Sequence, residues 1–200
     1  MDYYDLFIQE LVKYSPKFIG SALLLGLGWV IGKRITHYWN YRKSKQELDL
    51  EASKNFQSLY GEFFEIWKLW NYYSRDVGKE NFPEDLWWKV MDRACIAEGR
   101  LEALMVSITC EKHLTKDEIE NLGMFRQGYQ QLRESIRDYK PLNWNSSKDP
   151  EYVMFKNLSP RIQALIIRDS VNPPSPSVAA TQLKEITSNF WETEWAKLKN

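Results

Sequence analysis

Residues that do chemistry are scarce in this 200-residue chain, which has only two histidines and two cysteines. A histidine-based metal site is therefore excluded unless carboxylates and thiols combine in unusual ways. Cys95 and Cys110 form no C-x-x-C pair, and fifteen residues of helix would hold them about 22 Å apart, beyond disulfide reach. Free, buried thiols of this kind suit a reducing compartment. No glycine-rich loop follows a strand, so Walker and dinucleotide sites are absent. Period-two alternation of any length is missing too, which argues against a sheet. Net charge is zero, with 27 bases and 27 acids, so no global field draws nucleic acid or an acidic substrate. Proline is absent from residue 17 to residue 82, leaving that stretch free to be helical.

The few candidate side chains do not assemble a catalytic motif. His37 follows Arg34 by three residues and His113 follows Arg100 by thirteen, and neither spacing fits the Arg-x(4–6)-His signature of the all-helical HEPN ribonucleases. His113 in "CEKHLTKDE" reads as a surface turn residue and His37 as an interface anchor. Arg126, Arg133 and Arg137 share a helical face, but Glu134 and Asp138 interleave with them and ion pairing follows. The expectation is no enzyme activity, no catalytic residue, no metal site, no cofactor and no small-molecule substrate.

What the chain does have is one long uncharged run, Phe18 to Gly32, with four glycines in it. Fifteen residues of helix span about 22 Å, short of a ~30 Å hydrocarbon core. Lys17, Lys33 and Arg34 close the gap by extending aliphatic stems inward with their charges at the headgroups. Tyr38 and Trp39 stand where an aromatic belt belongs. A cleaved signal is disfavoured by the acidic sixteen-residue lead and by the lack of small residues after the run. A soluble core helix would bear about 1 kcal/mol for each glycine. The reading is a transmembrane helix with flanks over 17–39, preceded by an amphipathic segment over 1–16. Lys33 to Lys45 holds five bases and no acid, whereas from residue 46 acids outnumber bases, 24 to 20. The positive-inside rule then puts the N-terminus outside and the bulk of the chain in the cytoplasm, a single pass of the inner membrane. The bases favour anionic lipid as partner. Gly28 and Gly32 form G-x-x-x-G, and Ala22 and Gly26 a second small pair. With Ser21 these make a helix-packing face through which the chain would form a homo-oligomer.

Beyond the run every signal is helical. Leu48, Ala52, Phe56, Leu59, Phe63, Ile66, Trp70 and Tyr73 step by three and four, with Tyr60, Phe64 and Trp67 beside them. "DVGKENFPED" breaks this helix, and Leu86 to Ile108 gives the next stripe. Thr115 and Glu118 form a capping box for a third. Ser159 and Pro160 read as the N-cap and first turn of a further helix, and "RDSVNPPSPS" as a linker. The expected class is all-α: a transmembrane helix, a cytoplasmic antiparallel helical bundle over 40–170, a Pro/Ser linker over 171–177 and one helix over 178–200. The surplus of aromatic rings points Trp87, Trp88, Trp191 and Trp195 towards a protein interface.

In architecture, one N-terminal span carried by Phe18 to Arg34 followed by a helical bundle, the chain resembles the membrane effectors of bacterial anti-phage defence systems. The resemblance implies a homo-oligomer that opens a pore or depolarises the inner membrane on infection. The alternative is a membrane-anchored adaptor whose bundle binds a soluble protein encoded in the same operon.

Overall fold

The computed structural model describes residues 3–76, 83–142, 144, 148–170 and 172–198, without the side chains of residues 5–27 and 76. Among these residues there is no strand, as the periodicity predicts, and there are six α-helices: α1 (Tyr3–Asp76), α2 (Glu84–Glu111), α3 (Lys116–Arg137), α4 (Pro150–Ile167), α5 (Pro176–Ile186) and α6 (Phe190–Lys197). The chain divides into two units, Met1–Leu48 and Asp49–Asn200. The first is helical throughout its described residues. The second is the bundle.

In the bundle, the part of α1 from Asp49 turns Phe56, Leu59, Phe63, Ile66 and Trp70 inward, a strict three-and-four spacing that places them on one face. α2 buries Val90, Ala94, Ala97, Leu101, Leu104 and Ile108, and α3 buries Ile119, Leu122, Phe125, Tyr129, Leu132 and Ile136. α3 is central, packing against α2, α4, α5 and α6. It starts at Thr115, whose hydroxyl accepts from the Glu118 N–H while the Glu118 carboxylate accepts from the Thr115 N–H. That capping box satisfies two otherwise orphaned donors.

The core is aromatic. Phe63 is fully buried, with ring centroids of Phe155 at 4.1 Å, Tyr129 at 5.2 Å and Trp144 at 5.3 Å. Such pairs add about 1 kcal/mol beyond their buried area. Two helix-interior glycines make room for rings. A Cβ on Gly128 would lie 2.6 Å from two Phe155 ring carbons and 3.3 Å from Trp195, and one on Gly123 would run into the Trp191 indole. Glycine is the residue that lets α4 and α6 seat their rings against the α3 backbone.

α3 ends in a Schellman turn, Lys140 N–H donating to Ser135 C=O at 2.8 Å and Tyr139 N–H to Ile136 C=O at 3.2 Å. The left-handed position in that turn is ordinarily glycine. Here Tyr139 takes it, at φ 54°, with its ring stacked on Trp87 at 5.4 Å. Indole N–H groups hold the backbone on both sides of that position: Trp87 donates to Ile136 C=O at 2.9 Å, Trp70 to Lys140 C=O at 2.7 Å and Trp67 to Leu142 C=O at 3.0 Å. The buried Asn71 amide donates to Leu142 C=O and accepts from Leu142 N–H.

Three local expectations change. Ser159 and Pro160 do not start a helix, because Pro160 sits inside α4. Pro160 and Lys156 are both on the exposed side, so the Lys156 carbonyl that proline leaves without an N–H partner faces water, and the helix runs on. The single helix read over 178–200 is two helices, α5 and α6. α5 buries Ala179, Gln182 and Ile186, whereas the next buried residues, Trp191 and Trp195, are out of phase with that stripe. The turn at Thr187–Asn189 re-phases the chain. Finally, Cys95 and Cys110 are free but exposed, not buried, since α2 keeps the opposite side for its core.

Candidate functional site

The segment singled out by the sequence lies in the first unit. Every residue from Gly28 to Ser44 is exposed. At 3.6 residues per turn, the side chains sort onto two faces. Trp29, Lys33, Arg34, His37, Tyr38 and Tyr41 line one groove along the helix. Gly28, Gly32, Ile35 and Trp39 lie on the opposite side. Cations stack on rings one turn away, Lys33 Nζ 5.2 Å from the Trp29 centroid and the Arg42 guanidinium 5.2 Å from Tyr38. A Cβ added to Gly28 or Gly32 meets nothing within 4 Å, so that side is open to close approach.

Of the five expected packing residues, Gly28 and Gly32 are thus placed together, one turn apart. Ser21, Ala22 and Gly26, with the anchor Lys17, lie outside the described side chains, as does the amphipathic segment over 1–16 apart from Tyr3 and Tyr4. Anchors Lys33, Arg34, Tyr38 and Trp39 are all exposed. Among the described residues no helix is long and apolar enough to cross a membrane.

The four interface tryptophans separate. Trp191 and Trp195 belong to the core, packed on the α3 glycines, so they are unavailable to a partner. Trp191 also donates to the Glu185 carbonyl at 2.8 Å. Trp87 is half-buried against Tyr139. Only Trp88 stands out, 57 % exposed. On α2 it shares the outward face with Cys95, Ile96, Gly99, Ala103, Val106 and Cys110, all exposed.

The charged residues pair between helices. Arg126 binds Glu102 and Arg133 binds Glu98 at 2.6 Å, both on α2, while Arg137 holds its neighbour Asp138. Sequence reading expected ion pairs for these arginines, but only the fold supplies α2 as the source of two partners. Arg93 binds Glu62 and Glu65, and Arg100 binds Glu62, tying α2 to α1. Burial raises the Glu98 carboxyl above its ordinary value, although Arg133 and Arg126 pull the other way. The Tyr129 phenol, donating to the Leu59 carbonyl at 2.5 Å, is pushed up strongly by burial.

A polar knot that no sequence motif announces closes the α2–α3 turn. Lys112, only 2 % exposed, donates from Nζ to Asp49 at 3.1 Å and to the Arg168 carbonyl at 2.8 Å. Arg168 in turn binds Glu118 and donates to the His113 carbonyl. The buried Gln182 of α5 accepts from Leu114 N–H and donates to the Lys112 carbonyl. These groups satisfy backbone atoms at helix ends, a structural task. Among the described residues no group of His, Cys, Asp and Glu could hold a metal ion.

Comparison with known proteins bears on the N-terminal segment. Residues 2–38 match the family model described as the mechanosensitive ion channel, conserved TM helix. No curated protein and no solved structure matches the chain. The N-terminal helix is therefore similar to a membrane helix of ion channels, and its association is with the membrane.

Proposed function

We propose that this chain is a single-pass, homo-oligomeric membrane protein that acts by opening a pore or depolarising the membrane, like the defence effectors whose architecture it resembles. The observation that carries the reading is the match of residues 2–38 to a channel's membrane helix. Its support is local. Gly28 and Gly32 leave open space for a neighbouring helix, and small residues one turn apart are what close helix pairs in lipid use. The basic stretch from Lys33 to Lys45 orients the N-terminus outward and the bundle inward. The bundle then holds several copies together so that their spans meet.

The test is Gly28→Leu with Gly32→Leu, which adds bulk at the contact while leaving the segment more apolar. The double variant should still insert, fall apart to monomers by mass photometry in mild detergent, and stop dissipating membrane potential in cells that overproduce it. Wild type that is monomeric and leaves the potential intact refutes the proposal.

The second reading, a membrane-anchored adaptor, draws on the outward face of α2. Ile96 is 53 % exposed and Val106 45 %, and apolar surface of this kind marks partner sites. The two readings separate on one pair of variants. In the adaptor, Ile96→Lys abolishes function and the glycine double variant keeps it. In the pore, the glycine variant loses function.

A further inference from the structure

We infer that the Trp29–Tyr41 face of the first unit is a binding surface for the phosphate headgroups of anionic phospholipids. The inference rests on the membrane reading for the location of this helix and goes beyond it in assigning the two faces different partners.

Every residue from Gly28 to Ser44 is exposed among the described residues, so this face is open. Its charge is of one sign. Between Lys33 and Lys45 there are five bases and no acid, and no ion pair to Lys33 or Arg34 exists among the described residues. Lys33 and Arg34 thus carry fixed positive charge with no carboxylate against them among the described residues, and such a pair calls for an anionic partner. The rings narrow the chemistry. Trp29 and Tyr41 lie on the same side as Lys33, Arg34 and His37, and Lys33 Nζ is held over the Trp29 ring at 5.2 Å. Amphipathic rings beside cations fit the boundary between acyl chains and headgroups. A soluble anion offers no apolar neighbour for them.

The opposite side carries Gly28, Gly32, Ile35 and Trp39, with open space at both glycines. That composition suits a second helix, not a headgroup. Lipid phosphate on one side and protein on the other is the division that a helix at the rim of an oligomer requires.

The test uses the full chain in nanodiscs of phosphatidylcholine doped with phosphatidylglycerol, with native mass spectrometry counting the lipids that remain on mild release. Wild type should retain phosphatidylglycerol in clear excess over its share of the bilayer. Lys33→Gln with Arg34→Gln should lower that enrichment by roughly tenfold or more, each base near an anionic surface being worth about fivefold. Arg42→Gln with Lys43→Gln removes the same charge outside the groove and should lower it far less. Trp29→Leu with Tyr41→Leu keeps every charge and should still weaken retention severalfold. Equal losses from the two charge pairs would mean a diffuse effect and overturn the inference. No enrichment in wild type, or displacement of the lipid by inorganic phosphate, overturns it as well. Failure of the membrane reading shows differently: protein that never enters the disc sinks both, whereas inserted, oligomeric protein indifferent to lipid charge sinks only this one.

Discussion

Replacing glycine by alanine in a helix ordinarily stabilises it, by about 1 kcal/mol, and in this bundle the sign should depend on position. Gly61 of α1 is exposed, and a Cβ there meets nothing within 4 Å. Gly61→Ala should therefore gain about 0.5–1 kcal/mol. At Gly128 the new methyl would lie 2.6 Å from Phe155 ring carbons, roughly 1 Å inside the distance at which carbons attract. Phe155 has nowhere to go: it is fully buried, with Phe63 at 4.1 Å and Phe125 at 4.8 Å. Overpacking of this kind costs about 1–3 kcal/mol, which offsets the helical gain of about 1 kcal/mol and leaves Gly128→Ala less stable by up to about 2 kcal/mol. Gly123→Ala, against Trp191, should behave the same way. The assay is urea denaturation of the whole chain in mild detergent, followed by near-ultraviolet circular dichroism of the buried rings. With a slope of about 1–3 kcal/mol per molar urea, the midpoints of Gly61→Ala and Gly128→Ala should stand roughly 1 M apart, on opposite sides of wild type. A Gly128→Ala protein as stable as Gly61→Ala refutes the placement of α4 and α6 on α3.

Lys112→Ala leaves the nearly buried Asp49 without its cation and should cost about 3 kcal/mol. A double-mutant cycle with Asp49→Asn should show coupling above about 1 kcal/mol, and additive effects would contradict the pair. Glu98 has a raised pKa in the fold, so the folded state binds its proton more tightly than the unfolded one. The stability this group contributes is complete below its ordinary value of 4.5 and is lost as pH rises through the raised one. The stability of wild type relative to Glu98→Gln should therefore fall across that window, and a flat difference would refute the raised carboxyl. A fragment beginning at Ser44 should be soluble and mainly helical, because the bundle's stripes bury one another. Aggregated or unstructured material by circular dichroism would show that the first unit is needed for folding.

Repeats of three and four were enough to read the helices of the bundle, since burial of one face is a local, periodic demand on sequence. The capping box at Thr115 was equally legible, its two partners being three residues apart. Pro160 misled because the rule against interior proline assumes that the freed carbonyl is buried, and exposure is a property of the fold. Trp191 and Trp195 looked like spare rings because their seats, Gly123 and Gly128, lie more than sixty positions away. An interior glycine on a helix is a visible signal, but what it accommodates is not. Lys112 offered no signal at all. In the candidate membrane segment, the glycine spacing and the basic flank could be read directly. The division of Trp29 and Lys33 from Gly28 and Gly32 needed the helix to be placed.

The turn that ends α3 also has a consequence for the order of events in folding. A tyrosine at φ 54° is unfavourable by about 1–2 kcal/mol on its own, so an isolated α3 has no reason to end as it does. Its compensation comes from the Trp87 ring and from indoles on α1 and α2, tens of residues away in the chain. The turn can therefore lock only after those helices have docked, and it belongs among the last contacts made. By the same logic it should be the first part of the bundle to open, giving the amides of Tyr139, Lys140 and Leu142 faster hydrogen exchange than those in the middle of α3.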